Sequence, residues 1–536
     1  MPASSVLPAA SKHSYQFRSR LKRWWPAVAA TAAVLFIAFL IFMRVYAQPL
    51  LEKLARERTQ QFLEEHFQGR VHFEDLRIAF VPKLQVSVDG LSVRHDDNAD
   101  IAPLVQAKRI TFQTTVAGLL GNHPRVSNVK LEGLVISTPP KMPGGPPMIH
   151  GTNQNLAEKV PVVLQRIDAD DALIVILRWD KKPPNQFQIH HLMLYNFRFD
   201  QPASFHAVLT NPKPVGDIDC TGTFGPWQAD QPSETPVWAK YTFRNADLST
   251  LNGIKGILSS DGRFGGPLDY LNVEGTTDTP DFALRTSDHP MPLHTDFTAV
   301  VDGTNGNTIL KNVTARLLNS TIVAQGEVVD EYPKQRGRTI ALDAMANDAR
   351  IEDFLLLAVK NNPPVMTGNV RLKTKILIPE ADTDVIDRLQ LDGRFNLSNV
   401  HFSDTDIQQK IDTLSKKGQG NPKDAGTENM PAKLLGRFVM KDAAIQFADL
   451  QFGVEGASVA LGGNYNIDNG ALDFRGKLRL DAKLSQTFTG WKSVVLKPFD
   501  GFFKGKNSET EVPIKITGTR DSPSFGLDFH DKDNKK

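Results

Sequence analysis

The chain has 536 residues, 62 of them basic and 60 acidic, for a net charge of +2, so no global field draws it to nucleic acid or to an anionic surface. A hydrophobic content of 40% and a charged content of 23% are ordinary globular usage and exclude long disorder. The single cysteine, Cys220, excludes an intrachain disulfide framework and a thiolate metal site, while the length leaves one to four domains open.

Residues 1–23 form a short tail rich in Arg18, Arg20, Lys22 and Arg23, and residues 24–43 that follow carry no charge. A helix of that length spans the bilayer core of about 30 Å. Trp24 and Trp25 fall at the level of an interfacial aromatic belt, and the basic tail places the N-terminus in the cytoplasm. A transmembrane helix is therefore expected over 24–45, with the bulk of the chain outside the cytoplasm. A cleaved signal sequence is the competing reading, since Val45-Tyr46-Ala47 has the small-residue look of a cleavage site, but the apolar stretch is longer than a usual signal core.

The segment 46–140 opens with Leu50, Leu51, Leu54, Phe62, Leu63 and Phe67 at helical spacing, ending near Gly69, which predicts an amphipathic helix. From Val71 the period changes to two. Leu84, Val86 and Val88 alternate with Gln85, Ser87 and Asp89, and Ile110 and Phe112 alternate with Thr111 and Gln113. The same pattern continues through Val129, Leu131, Met193, Tyr195, Phe197 and Phe199. A proline- and glycine-rich loop at 141–161 cannot pair into a central strand and sets a soft boundary before a repetitive β body at 162–485. Helical insertions are expected at about 348–360 and 404–416, and a mobile polar loop at 415–431. The last stretch, 486–536, combines an amphipathic segment with a final hairpin.

Two motifs repeat. Asp261-Gly262-Arg263-Phe264 recurs as Asp392-Gly393-Arg394-Phe395, and a G-T-x-D-[ST]-P-x-F-x-L pattern occurs at Gly275–Leu284 and at Gly518–Leu527. The second pattern reads as a hairpin, in which Asp bonds its own backbone at the bend and Pro blocks further pairing. Repeated hairpins predict a sheet grown by adding similar units.

Catalytic and metal chemistry find no motif. His190 and His191 adjoin in an alternating strand, which predicts side chains on opposite faces, unable to share a metal ion. Asp168, Asp170 and Asp171 lack the glycine and terminal glutamate of a calcium loop and read as a solvated turn. No glycine loop cradles a phosphate and nothing around Cys220 marks a nucleophile. The chain reads as non-enzymatic, with no cofactor, no metal and no nucleic-acid partner.

The order of features, together with FEDLRIAFVPKLQVSVDGLSVR at 73–94, the segment 102–140 and VPIKITGTRDSPSFGLDF at 512–529, resembles the AsmA family, which includes TamB- and YhdP-like proteins. The resemblance implies an inner-membrane anchor and a periplasmic body, mainly β, in which an elongated, curved, repetitive antiparallel sheet forms a groove of the bridge type. It also implies that phospholipid travels along that groove between inner and outer membranes, supporting outer-membrane lipid homeostasis.

Elementary physics sharpens the expectation. A sheet whose alternate residues are apolar must bury that face against a second sheet, helices or a ligand, and helical segments are too few to cover roughly 25 strands. Leu84, Val86, Val88, Ile110 and Phe112 are candidate groove-lining residues, or equally core facing a helix. Trp491, Val494, Val495, Phe499, Phe502 and Phe503 lie among lysines as in a membrane-interface segment, which makes them candidates for a tip touching the outer membrane or a protein within it. The same aromatics would equally cap the sheet end as core. Two alternatives to lipid transport stand beside it: an assembly factor for outer-membrane proteins acting by strand addition, and a structural periplasmic β repeat.

Overall fold

The computed structural model describes Val34, Ala38, Phe42, Lys53, Arg56 and Glu57, and then residues 71–528 except 80–83, 95–102, 104, 116–124, 139–161, 177–184, 199, 229–231, 331–336, 382, 424–428, 484–485, 487–509 and 521. The first six residues are helical. The rest of the expected span at 24–45, the loop 141–161 and the tip candidates Trp491 to Phe503 lie outside the described residues. Among the described residues no helix is long and apolar enough to cross a membrane.

Among the described residues twenty-seven strands form one hydrogen-bonded sheet. From Ala203 to Leu527 it is a meander of antiparallel neighbours. The short strand Ile254–Lys255 departs from this order by pairing with the end of Leu271–Leu284. Tight turns follow from local sequence, as at Asp442 and Ala443, both in the left-handed region with φ of 51° and 54°, the geometry that matches the right-handed twist of a hairpin. The parallel joint lies between Val163–Ile176 and the three short strands Arg125–Val126, Asn128–Glu132 and Val135–Thr138. Parallel neighbours need a crossover connection, and the proline- and glycine-rich stretch falls within the segment that makes it. Strand pairing is continuous on both sides of that segment.

The two ends of the strands differ. One rim carries the helices, α1 at Ile351–Ala358, directly after strand Thr339–Arg350, and α3 at Thr405–Gly418, after strand Gln390–Phe402. Between them in sequence a single turn, α2 at Val385–Arg388, leaves the opposite rim, where most connections are short. Under α1 lies the largest buried cluster, Ala346, Ala349, Val370, Leu397, Val400 and Ala432, with Ile351 and Phe354 packed on it. Buried Asp353 fixes α1 by accepting from Ser320 Oγ at 2.7 Å and Asn319 N at 3.0 Å. Helix α3 starts at Asp404, whose carboxylate accepts from Asp406 N and Ile407 N, the usual N-cap. Its last turn touches strand Ala457–Asn466 so closely that a Cβ on Gly418 would lie 2.2 Å from the Gly456 carbonyl oxygen.

Several expectations are corrected here. Residues 415–418 of the expected loop belong to α3, with Ser415 donating to Glu455 O at 2.8 Å. Asp168, Asp170 and Asp171 lie inside strand Val163–Ile176 rather than in a turn, because the left-handed φ of 52° at Asp171 breaks the alternation without ending the strand. The pattern at Gly518–Leu527 is the expected hairpin. The copy at Gly275–Leu284 is one uninterrupted strand instead: its neighbour continues past the proline, and a bulge between Thr279 and Phe282 absorbs Pro280 and Asp281, the irregularity in which a sheet tolerates proline.

Candidate functional site

Residues that pair directly across neighbouring strands share a face of the sheet, so the register can be followed from one edge to the other. One such row begins Leu76, Val88, Ile110, Leu131, Ala169, Leu192, Ala207, Cys220, Tyr241, Gly262, Gly275, Phe297. It continues Val313, Ala324, Ala344, Thr374, Gly393, Phe438, Phe447, Gly463, Phe474, Ile516, Phe525. No member carries a charge. The row passes through every strand position of the meander, roughly 22 steps of ~4.8 Å, a contour of about 105 Å. The row beside it lies on the opposite face and starts Asp89, Arg109, Glu132, Asp170, His191. The first row is uncharged from end to end, while the charged side chains gather on the opposite face, among scattered exposed apolar ones such as Trp238 and Met345.

Glycines report which way the sheet bends. On the apolar face a Cβ at Gly222 or Gly476 would stand 1.8 Å from a carbonyl oxygen of the neighbouring strand, and one at Gly326 2.0 Å. On the polar face a Cβ at Gly453 would meet nothing within 4 Å. Neighbouring backbone crowds the apolar side and stands clear on the polar side, where the close contact at Gly265 is with the Trp238 ring alone, so the strands bend toward the apolar face. Rings stand where glycines make room: Phe395 lies over Gly436, 3.3 Å from its notional Cβ, and Tyr241 over Gly262. Phe395, Phe438, Phe447 and Phe474 form a chain of ring contacts with centroids 5.8–6.4 Å apart.

Helices α1 and α3 line one rim, from strand Leu271–Leu284, which α1 touches, to strand Ala457–Asn466. Toward the other rim, Leu310, Val313 and Leu342 are half-buried, with no second layer packed above them among the described residues. The five predicted lining residues fall on this face, with Val86 opposite Phe112 and Val88 opposite Ile110, and Leu84, Val86 and Val88 also pack against the buried Phe73, Leu76 and Ile78. Met193, Tyr195 and Phe197 lie on the other face. Strand Asn185–Phe197 uses Leu192 and Leu194 on the apolar side, and since both of its faces are apolar there, alternation could not choose between them.

A crease crosses the first strands and was missed in sequence. The apolar face shifts by one residue beside Gly90 and Gly133, whose φ are 64° and 61°, beside Asp171, and between Ile189 and Leu192. It puts both His190 and His191 on the polar face, contrary to expectation: His190 reaches Thr210 Oγ1 at 2.7 Å and His191 reaches Asp170 at 2.5 Å. They point to different strands, and no set of three metal-ligating residues gathers among the described residues.

The connection carrying α2 joins the two rims. It leaves strand Met366–Ile378 at the turn rim, yet Asp384 pairs with Arg285 and Val385 N lies 3.2 Å from the notional Cβ of Gly253, both at the helical rim beside strand Leu271–Leu284. It is a strap between the two rims. Cys220, on the apolar face, donates weakly to Ala207 O at 3.6 Å, and burial, followed by the nearby Asp219 charge, pushes its thiol up to about 11.

No protein-family model, no curated protein and no solved structure matches the chain.

Proposed function

We propose that the chain is a non-enzymatic, inner-membrane-anchored carrier of phospholipid, moving it along the apolar groove through the periplasm toward the outer membrane. The observation that supports this reading is the unbroken uncharged row from Leu76 to Phe525, on a face that, among the described residues, only the helices of one rim cover in part. Such a face in water is costly, and acyl chains lying on it would recover about 0.8 kcal/mol for each methylene buried. The polar opposite face keeps the carrier wetted from outside. The resemblance to AsmA-family sequences points to the same function and supplies the expected compartment and anchor.

Site-specific photocrosslinking tests the reading by a one-residue step. A photoreactive residue at Leu342, on the groove face, should capture labelled phospholipid in cells, and one at Asp343, on the polar face, should not. Equal labelling at both, or at neither, would remove the lipid reading.

One observation favours strand addition as a second reading. Among the described residues strand Ser522–Leu527 pairs on one side only, and its Phe525 is 73% exposed, an edge of the kind a partner strand can extend.

A further inference from the structure

Most arginines on the polar face are matched. Arg109 meets Asp89 at 2.6 Å, Arg166 meets Asp168 at 2.8 Å, Arg244 meets Asp261 and Arg316 meets Asp296 at 2.6 Å, and Arg479 meets Glu511 at 3.2 Å. One region breaks this rule. Lys373 of strand Met366–Ile378 stands directly opposite Arg394 of strand Gln390–Phe402, which stands directly opposite Arg437 of strand Ala432–Lys441. Arg371 lies two residues from Lys373 on the same face. None of these four makes an ion pair among the described residues.

Like charges directly opposite in a sheet destabilise it, and here three occur in succession. The four cations line a surface depression of about 420 Å³ together with Asn347, Asn396, Met345, Leu435 and a single carboxylate, Asp449. Asp449 stands opposite Arg437 at one end, and Asp392 and Asp343 flank the next residue along, Lys375. These carboxylates bound the cluster without neutralising its centre, which lies between Lys373 and Arg394.

We propose that this depression binds a phosphate-type anion. A carboxylate has two oxygens to offer, whereas a phosphate group presents three or more around a tetrahedron and can meet several cations at once. Arginine forks suit it bidentately and lysine as a point charge. The bound anion offsets the repulsion that the row otherwise stores. The site is on the polar face, so it stands independently of what fills the groove. The phosphate belongs either to a free phosphate compound or to a lipid headgroup.

The test is thermal unfolding of the detergent-purified full chain, titrated with inorganic phosphate at constant ionic strength. Wild type should gain several degrees. Arg394→Gln with Arg437→Gln should start higher than wild type without phosphate, because repulsion is relieved, and should gain nothing on titration. Lys240→Gln with Lys311→Gln, which removes two unpaired lysines elsewhere, should behave as wild type. The proposal fails if wild type gains nothing, if the Arg394/Arg437 variant keeps the gain, or if that variant starts lower, which would assign the arginines to packing. Repeating the titration with dihexanoyl phosphatidic acid separates the sources. If the part of its effect abolished in the double variant saturates at far lower concentration than inorganic phosphate, the site takes a lipid headgroup; if the two are equal, it recognises the phosphate alone.

Discussion

Gly476 stands opposite Leu461 on the neighbouring strand, so close to it that a Cβ on the glycine would lie 1.8 Å from the carbonyl oxygen of the preceding Ala460. Gly453, on the opposite face, would place its Cβ in open space. Gly476→Ala should therefore destabilise the protein by about 1–3 kcal/mol, the usual cost of overpacking. Gly453→Ala should be neutral or stabilising by about 0.5 kcal/mol, since it removes a flexible residue from a strand. Denaturant unfolding of the two variants reads the curvature directly, and equal effects would mean that the sheet does not curl toward its apolar face.

Cys220 is a built-in reporter of the groove. Its thiol stays protonated up to about 11 in the folded chain because burial disfavours the thiolate, whereas in the unfolded chain it ionises near ~8.5. The unfolded state therefore loses its proton first, and the stability this cysteine contributes is full below about pH 8.5 and falls as the pH rises toward 11. Cys220→Ala should flatten that part of the stability profile. Alkylation of Cys220 at neutral pH should be slow, and slower still after loading with phospholipid. Rapid labelling unaffected by lipid would place the sulfur outside the groove.

The strap gives a kinetic prediction. Arg285 and Asp384 are both partly exposed, so their pair contributes at most about 1 kcal/mol to stability. Asp384→Ala should leave the melting temperature nearly unchanged but accelerate exchange of a fluorescent phospholipid several-fold, because the two rims are no longer tied. An unchanged exchange rate in a folded variant would show that lipid enters elsewhere.

Acid should loosen the C-terminal strands. Glu511 is held below the usual carboxylate range by its hydrogen bond from Lys477, with Arg479 adding to it. The stability it contributes is present above its unfolded value near ~4.3 and is lost as the pH falls through the lower folded value. Glu511→Gln should remove that acid-dependent step, seen as faster amide exchange in Thr510–Thr519 in wild type only when the pH drops.

Much of this architecture could be read in the chain because its dominant signal, a period of two, is local. Leu84, Val86 and Val88, and Ile110 with Phe112, alternate cleanly and fall on one face, and the helix expected at about 404–416 is found at Thr405–Gly418. What was not legible depends on partners far along the sequence. Pro280 ends pairing in the abstract, yet a neighbouring strand long enough to continue past it turns the expected hairpin into a bulge. Asp171 and His190 break the alternation at the crease, reversing the faces of Met193 and Tyr195, and a one-residue shift of that kind has no composition signature. The opposed cations Lys373, Arg394 and Arg437 come from three strands and meet only through register. The Arg285–Asp384 contact joins opposite rims, which no local pattern encodes.

The most direct measurement is native mass spectrometry of the full chain released from detergent, with its lipids extracted and counted, beside Leu310→Asp with Leu342→Asp. Neither leucine belongs to a buried cluster, so the variant should fold, while each charge interrupts the floor of the groove. An occupied groove predicts several phospholipids on each wild-type chain and markedly fewer on the variant. A folded wild-type chain free of lipid, or equal lipid on both proteins, would contradict the carrier.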